Sequence, residues 1–131
     1  MVSKSPQLAA RRISDPPVRV IALFGDHDLS TLSDLEQALS VAVDSGDPVI
    51  VDLQRATFAD STILGALINA HNHGRGRFAI VTPLDGEVAR LFDLVDATSI
   101  LVTFPALRVA IDWCHPAASR RASTKAPRSS A

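Results

Sequence analysis

The spacing of hydrophobic positions along this chain switches repeatedly between short continuous runs and a helical rhythm of three and four. "VRVIALFG", residues 18–25, is apolar and β-branched, and Gly25 closes it as a strand. In the following "DLSTLSDLEQALSVAVDSGDP", Leu32, Leu35, Leu39, Ala42 and Val43 recur at helical spacing and predict a helix that buries one face. Thr31 and Asp34 have capping-box spacing at its start, and Gly46 and Pro48 stop it. "VIVDL" (49–53) is a short apolar run, as in a strand covered on both faces. "STILGALINAHNHG" then sets Leu64, Leu67, Ile68 and His71 on one helical stripe, with Gly74 as the stop.

The alternation continues to the last apolar segment. "FAIVT" (78–82) predicts a further strand, and Val88, Leu91, Phe92 and Val95 mark a helix in "DGEVARLFDLV". "SILVT" (99–103) predicts another strand, followed by a helix over "PALRVAIDW" with Pro105 in its first turn. At the other end, "AARRIS" reads as a short edge strand stopped by "DPP". Strands alternating with helices predict an α/β fold. Parallel neighbours need crossovers, so the sheet should be mostly parallel, with right-handed connections and helices packed on it.

Length and composition narrow this picture. The 131 residues suit one domain, with 47% hydrophobic and 21% charged residues as in globular proteins. A net charge of −1 offers no basic field for nucleic acid. The expected layout is a flexible segment 1–6, a domain 7–115 and a basic disordered tail 116–131, "PAASRRASTKAPRSSA", which lacks large apolar residues. The single cysteine, Cys114, excludes an intramolecular disulfide framework. No secretory signal or membrane-length apolar run is visible, so a cytoplasmic protein with no membrane insertion is expected.

The candidate chemistry sits in "TFADSTILGALINA", residues 57–70. Asp60 is placed to cap the helix, and Ser61 and Thr62 fall in its first turn, where amides are unpaired. The same turn would tolerate a phosphate on Ser61, adding about −1.5 to −2 charge to the surface. Other candidates are weaker. His71 and His73, two apart on a helix, point to different faces and suit dipole complementation better than a metal. "GRGR" (74–77) leads into a strand, the reverse of a phosphate loop, and reads as a turn. Ser61 has no discernible base, and Cys114 lies at a helix end, so a binding protein is expected and not an enzyme. "SRRAST" in the tail reads as solvated sequence.

Three segments, "LFGDHDLSTLSDLEQAL", "VIVDLQRATFADSTILGALINA" and "FAIVTPLDGEVARLFDLV", resemble successive blocks of the STAS domain of bacterial anti-sigma factor antagonists. The resemblance runs from about Val18 to Trp113. It implies that Ser61 is the phosphorylated serine, that Thr62 is the second hydroxyl position, and that Asp60 flanks the site. Asp28 would lie beside it on the first-block turn, and Asp26, Asp28, Asp60, Ser61, Thr62 and Ile63 would meet a partner. Such a protein binds an anti-sigma factor when unmodified and frees the sigma factor for transcription. The anti-sigma factor is often the serine kinase that ends the complex, with ATP and Mg²⁺ belonging to that partner; a phosphatase would reverse the mark. The chain would be a monomer without a cofactor of its own. Two residues depart from the family pattern. Ile63 stands where Gly is common, and His27 replaces an apolar residue; both are expected to border the docking surface, with Ile63 supplying apolar contact area. An alternative is an unphosphorylated STAS module of a transporter or lipid-trafficking complex. A more remote one is a nucleotide sensor using the same helix start.

Overall fold

A computed structural model describes residues 5–74 and 77–115. The expected tail 116–131, most of the flexible segment 1–6 and the middle of "GRGR" lie outside the described residues. Five strands form one sheet in the order β1 (Gln7–Ile13), β2 (Val18–His27), β3 (Val49–Ala59), β4 (Phe78–Val81), β5 (Val102–Phe104). Only β1 is antiparallel, pairing with β2; the remaining pairs are parallel. The helices are α1 (Leu32–Asp44), α2 (Ser61–His73), α3 (Glu87–Leu94) and α4 (Leu107–Cys114). The α/β expectation, with a mostly parallel sheet and alternating helices, holds.

Two cores sit on opposite faces of the sheet. Ile21, Leu23, Val51 and Leu53 project toward Leu35 and Leu39 of α1, Leu64 and Leu67 of α2, and Val88 and Phe92 of α3. The other face packs Val18, Val20, Ile50 and Val81 against Ala110 and Cys114 of α4. Strands facing a core on each side cannot show strict alternation, which is why "VIVDL" is continuously apolar. Among the described residues no helix is long and apolar enough to cross a membrane.

Several boundaries differ from expectation, each for a local reason. β2 runs past Gly25 to His27, and β3 runs past Leu53 to Ala59. Their pairing passes through two irregularities: five residue steps on β2, from Ala22 to His27, face seven on β3, from Asp52 to Ala59. The surplus residues are β-bulges, and Gly25 takes φ +81° between them, a conformation that favours glycine. "SILVT" is largely not a strand. Ala97–Ser99 is a 3-10 turn, and β5 begins only at Val102. Pro105 stands outside α4, whose N-cap is Ala106. Thr31 caps α1 without a side-chain hydrogen bond, so the Thr31–Asp34 capping box is not formed.

Candidate functional site

β2 and β3 end side by side, with His27 paired to Ala59, and the Asp60 amide donates to the His27 carbonyl at 3.3 Å. The two loops leaving these strands therefore share one end of the sheet. On the β3 side, Asp60 adopts extended backbone and caps α2. Its Oδ1 accepts the amides of Thr62 at 3.0 Å and Ile63 at 3.2 Å, and the Thr62 hydroxyl at 2.6 Å. One carboxylate oxygen thus satisfies two orphan amides of the first turn and occupies the neighbouring hydroxyl. Ser61 is exposed, and its hydroxyl has no hydrogen-bond partner among the described residues. Of two adjacent hydroxyls, one is engaged and half-buried and the other is open.

On the β2 side, Asp28 caps the 3-10 turn Leu29–Thr31. Asp28 Oδ1 accepts the Ser30 amide at 2.9 Å and the Ser30 hydroxyl at 2.6 Å, while Thr31 Oγ1 accepts the Asp28 amide at 3.3 Å. This reciprocal capping box uses the Thr31 hydroxyl that the sequence had suggested for α1. The Ser30 hydroxyl and amide hold the exposed Asp28 carboxyl below its ordinary value of 3.8, with nearby His27 adding a smaller pull. Asp26, one strand position before His27, accepts the Thr57 hydroxyl at 2.6 Å and so ties β2 to β3.

Ile63 and His27, expected to border a docking surface, are both buried. Ile63 is 0% exposed and belongs to the main core with Leu64 and Leu67. As the third residue of α2 it shares the inward stripe with Leu67, one turn on, while Gly65 faces solvent. The extra side chain fills the interior. His27 is likewise buried, at 2% exposure. Its Nε2 lies 3.2 Å from the Gln7 carbonyl and 3.0 Å from the Phe24 carbonyl, so Nε2 carries the hydrogen; Nδ1 lies 3.0 Å from Thr31 Oγ1. His27 therefore links β1, β2 and the Asp28 turn from beneath, where an apolar residue would leave those carbonyls without this donor.

At this end of β2 and β3, two exposed apolar residues were not indicated by the sequence. Leu29, in the 3-10 turn, is 67% exposed, and Phe58, paired with Asp26, is 42% exposed. Phe58 lies in an apolar-polar pattern that alternation would mis-phase, because the bulges make Leu53, Ala56 and Ala59 the inward positions of β3. Among the described residues, no group of three or more His, Cys, Asp or Glu is arranged to hold a metal. His73 Nδ1 donates to the Asn69 carbonyl at 2.8 Å, and His71 leans on Phe78 with ring centroids 6.1 Å apart. At the far end, Cys114 is buried, and burial pushes its thiol up to about 11, against a smaller opposing effect of Arg77.

A family model described as "Mlab, STAS domain" matches residues 12–103. No curated protein matches the chain in sequence. Among solved structures, an anti-sigma factor antagonist from Mycobacterium paratuberculosis superposes with a TM-score of 0.75 at 21% identity, covering 83% of this chain and 95% of that one. The phosphorylated form of the Bacillus cell-fate determinant SpoIIAA gives 0.62 at 20% identity, covering 81% and 97%. The murine anion transporter Slc26a9 gives 0.59 at 14% identity, covering 76% of this chain but 18% of the transporter. At these identities the likeness is one of fold.

Proposed function

Because the chain belongs to the STAS domain family, we propose that it is an anti-sigma factor antagonist whose docking surface surrounds Ser61 and is switched by phosphorylation there. In this reading the unmodified protein binds an anti-sigma factor and so frees a sigma factor for transcription. A serine kinase, the anti-sigma factor itself, transfers phosphate from ATP with Mg²⁺, and a phosphatase restores binding. The protein acts in the cytoplasm, as a monomer, by binding and not by catalysis.

The observation that carries the proposal is the contrast between the two hydroxyls. Ser61 is open at the start of a 13-residue helix, whereas Thr62 is held by Asp60. A kinase therefore meets Ser61 first. The first-turn amides of Thr62 and Ile63 are already taken by Asp60, so a phosphate at Ser61 adds its charge beside a carboxylate and gains little neutralisation from those donors. Burying such an unpaired dianion in an interface costs several kcal/mol. Since about 1.4 kcal/mol is tenfold in affinity, one phosphate suffices to dissolve a micromolar complex. Leu29, in the turn after β2, and Phe58, near the end of β3, supply exposed apolar area beside the site, and Asp26, Asp28 and Asp60 supply its polar rim. The SpoIIAA structure in its phosphorylated form supports the idea that this fold accepts the modification.

The likeness to a transporter's STAS segment favours a second reading, an unphosphorylated module of a transporter or lipid-trafficking assembly. One experiment separates them. The anti-sigma partner is retrieved by pull-down, the two proteins are incubated with ATP and Mg²⁺, and phosphate is mapped by mass spectrometry. Phosphate at Ser61, with Ser61→Asp weakening binding about a hundredfold while melting normally and Ser61→Ala remaining bound in ATP, supports the switch. A Ser61→Asp protein that binds as tightly as its parent refutes the electrostatic mechanism.

A further inference from the structure

At the opposite end of the sheet from Ser61, the face of β1 and β2 turned toward α1 is incompletely covered. Ala10 pairs with Ile21 and Arg12 with Arg19, and directly opposed residues of antiparallel strands share a face. α1, from Asp34 in its first turn to Ala42, forms the other wall. Between them lies an open cleft of ≈ 450 Å³, a volume that suits a small ligand (roughly 300–1,000 Å³). Its apolar lining includes Ala10, Ile21, Ala38 and Val41, and Val41 is 60% exposed.

The charges around this cleft are only partly paired with one another. Arg19 Nε donates to Asp47 Oδ2 at 3.1 Å, which leaves the terminal nitrogens of that guanidinium unpaired by Asp47. Arg12 makes no ion pair or side-chain hydrogen bond among the described residues, although it stands opposite Arg19 on the same face. Arg11 borders the cleft but pairs with Val20, which packs in the opposite core, so it is not among the donors to this cleft; Asp34, on the first turn of α1, is the cleft's acid and pairs with neither Arg12 nor Arg19 among the described residues. A second cleft, ≈ 220 Å³ between α1 and α2, carries Glu36 and Asp44 instead, so basic lining is not a general property of the surface.

Guanidinium donors beside an uncovered apolar wall call for a ligand with both characters. We propose that this cleft binds a small anionic amphiphile, a carboxylate or phosphate head on a short alkyl chain. Arg12 and Arg19 take the head through charge-assisted hydrogen bonds, and Ala38 and Val41 cover the chain. Arg19 and His27 lie eight residues apart on one strand, roughly 26 Å at ~3.3 Å per residue. The arginine end of the cleft is therefore remote from the end of the sheet that carries Ser61.

The test is a titration of the full-length ¹⁵N-labelled protein with octanoate or octyl phosphate below micelle-forming concentrations, with 1-octanol and inorganic phosphate as controls. Saturable shifts of the Ala10, Ala38 and Val41 amides are expected, without movement at Ser61. Both anionic amphiphiles should bind at least tenfold more tightly than either control. Arg12→Gln, a change at an exposed edge-strand position, should weaken binding roughly tenfold, and Val41→Ser should weaken it severalfold while octanoate still prefers the same amides. Equal affinity for octanol, equal affinity for phosphate alone, or shifts mapping elsewhere would overturn the proposal. Sedimentation with phosphatidylglycerol vesicles, against phosphatidylcholine, distinguishes the source of the head group. Retention together with octyl phosphate binding assigns a membrane lipid, and octyl phosphate binding without retention assigns a free amphiphile. Retention without octyl phosphate binding refutes the cleft in favour of surface attraction.

Discussion

Replacing Ile63 by alanine separates an interior role from a docking role. Ile63 is fully buried, so the substitution removes three carbons from a closed core. At ~0.8 kcal/mol per buried carbon the transfer cost is about 2.4 kcal/mol, and the cavity left behind raises it toward 3–4 kcal/mol. Alanine's better helix propensity returns at most ~0.7 kcal/mol. The net loss of about 3 kcal/mol is a large share of the ~5–15 kcal/mol that keeps a domain folded. For a domain of this size it lowers the melting temperature by roughly 12 °C, at ~4 °C per kcal/mol. Urea unfolding followed by Trp113 fluorescence measures it directly. Trp113 is the only tryptophan and packs on Phe104 with ring centroids 5.6 Å apart. The midpoint should fall with little change in the m-value. Ile63→Gly, which restores the common family residue, should cost about 1 kcal/mol more through helix entropy. As a control, Leu29→Ala, at an exposed position, should stay within ~0.5 kcal/mol of the parent. If Ile63→Ala is as stable as Leu29→Ala, the buried placement of Ile63 is wrong and its role belongs on the surface after all.

Three other measurements probe the site and its surroundings. Asp60→Ala should lose about 1–2 kcal/mol as the cap of α2 and should release the Thr62 hydroxyl, so phosphothreonine appears beside phosphoserine in kinase assays; an unchanged melting curve refutes the capping role. Asp28, held below 3.8 in the folded state, contributes stability that is present above pH 3.8 and is lost as pH falls through its lower folded value. Asp28→Asn should therefore show a shallower loss of stability on acidification, and identical acid limbs would contradict the Ser30 contacts. Cys114, raised to about 11 by burial, should react slowly with a thiol reagent at pH 8 until urea unfolds the chain. Its contribution to stability, intact below pH 9, should disappear as pH rises through about 11, and rapid labelling of the native protein would refute the burial.

The element order and the cap of α2 were decided along the chain itself. Apolar spacing of three and four specifies a helix whatever it packs against, and an aspartate followed by two first-turn hydroxyls caps locally, within three residues. Hence β2, α1, α2 and the position of Ser61 could be read before any tertiary contact was known, along with the α/β class and its mostly parallel sheet. Which side chains face outward beyond those regular segments depended on strand pairing. The two surplus residues of β3 exist only in relation to β2, and they turn Phe58 out and Ala59 in. Ile63 likewise looked like a surface residue because a glycine suits its place in relatives, yet the interior behind α2 has room for it beside Leu67. His27 found its role through the Gln7 and Phe24 carbonyls, the first of them twenty residues away in sequence. Periodicity records which residues share a face of one element; burial and hydrogen bonding between elements are fixed by register, and register is settled only when the whole sheet closes on its two cores.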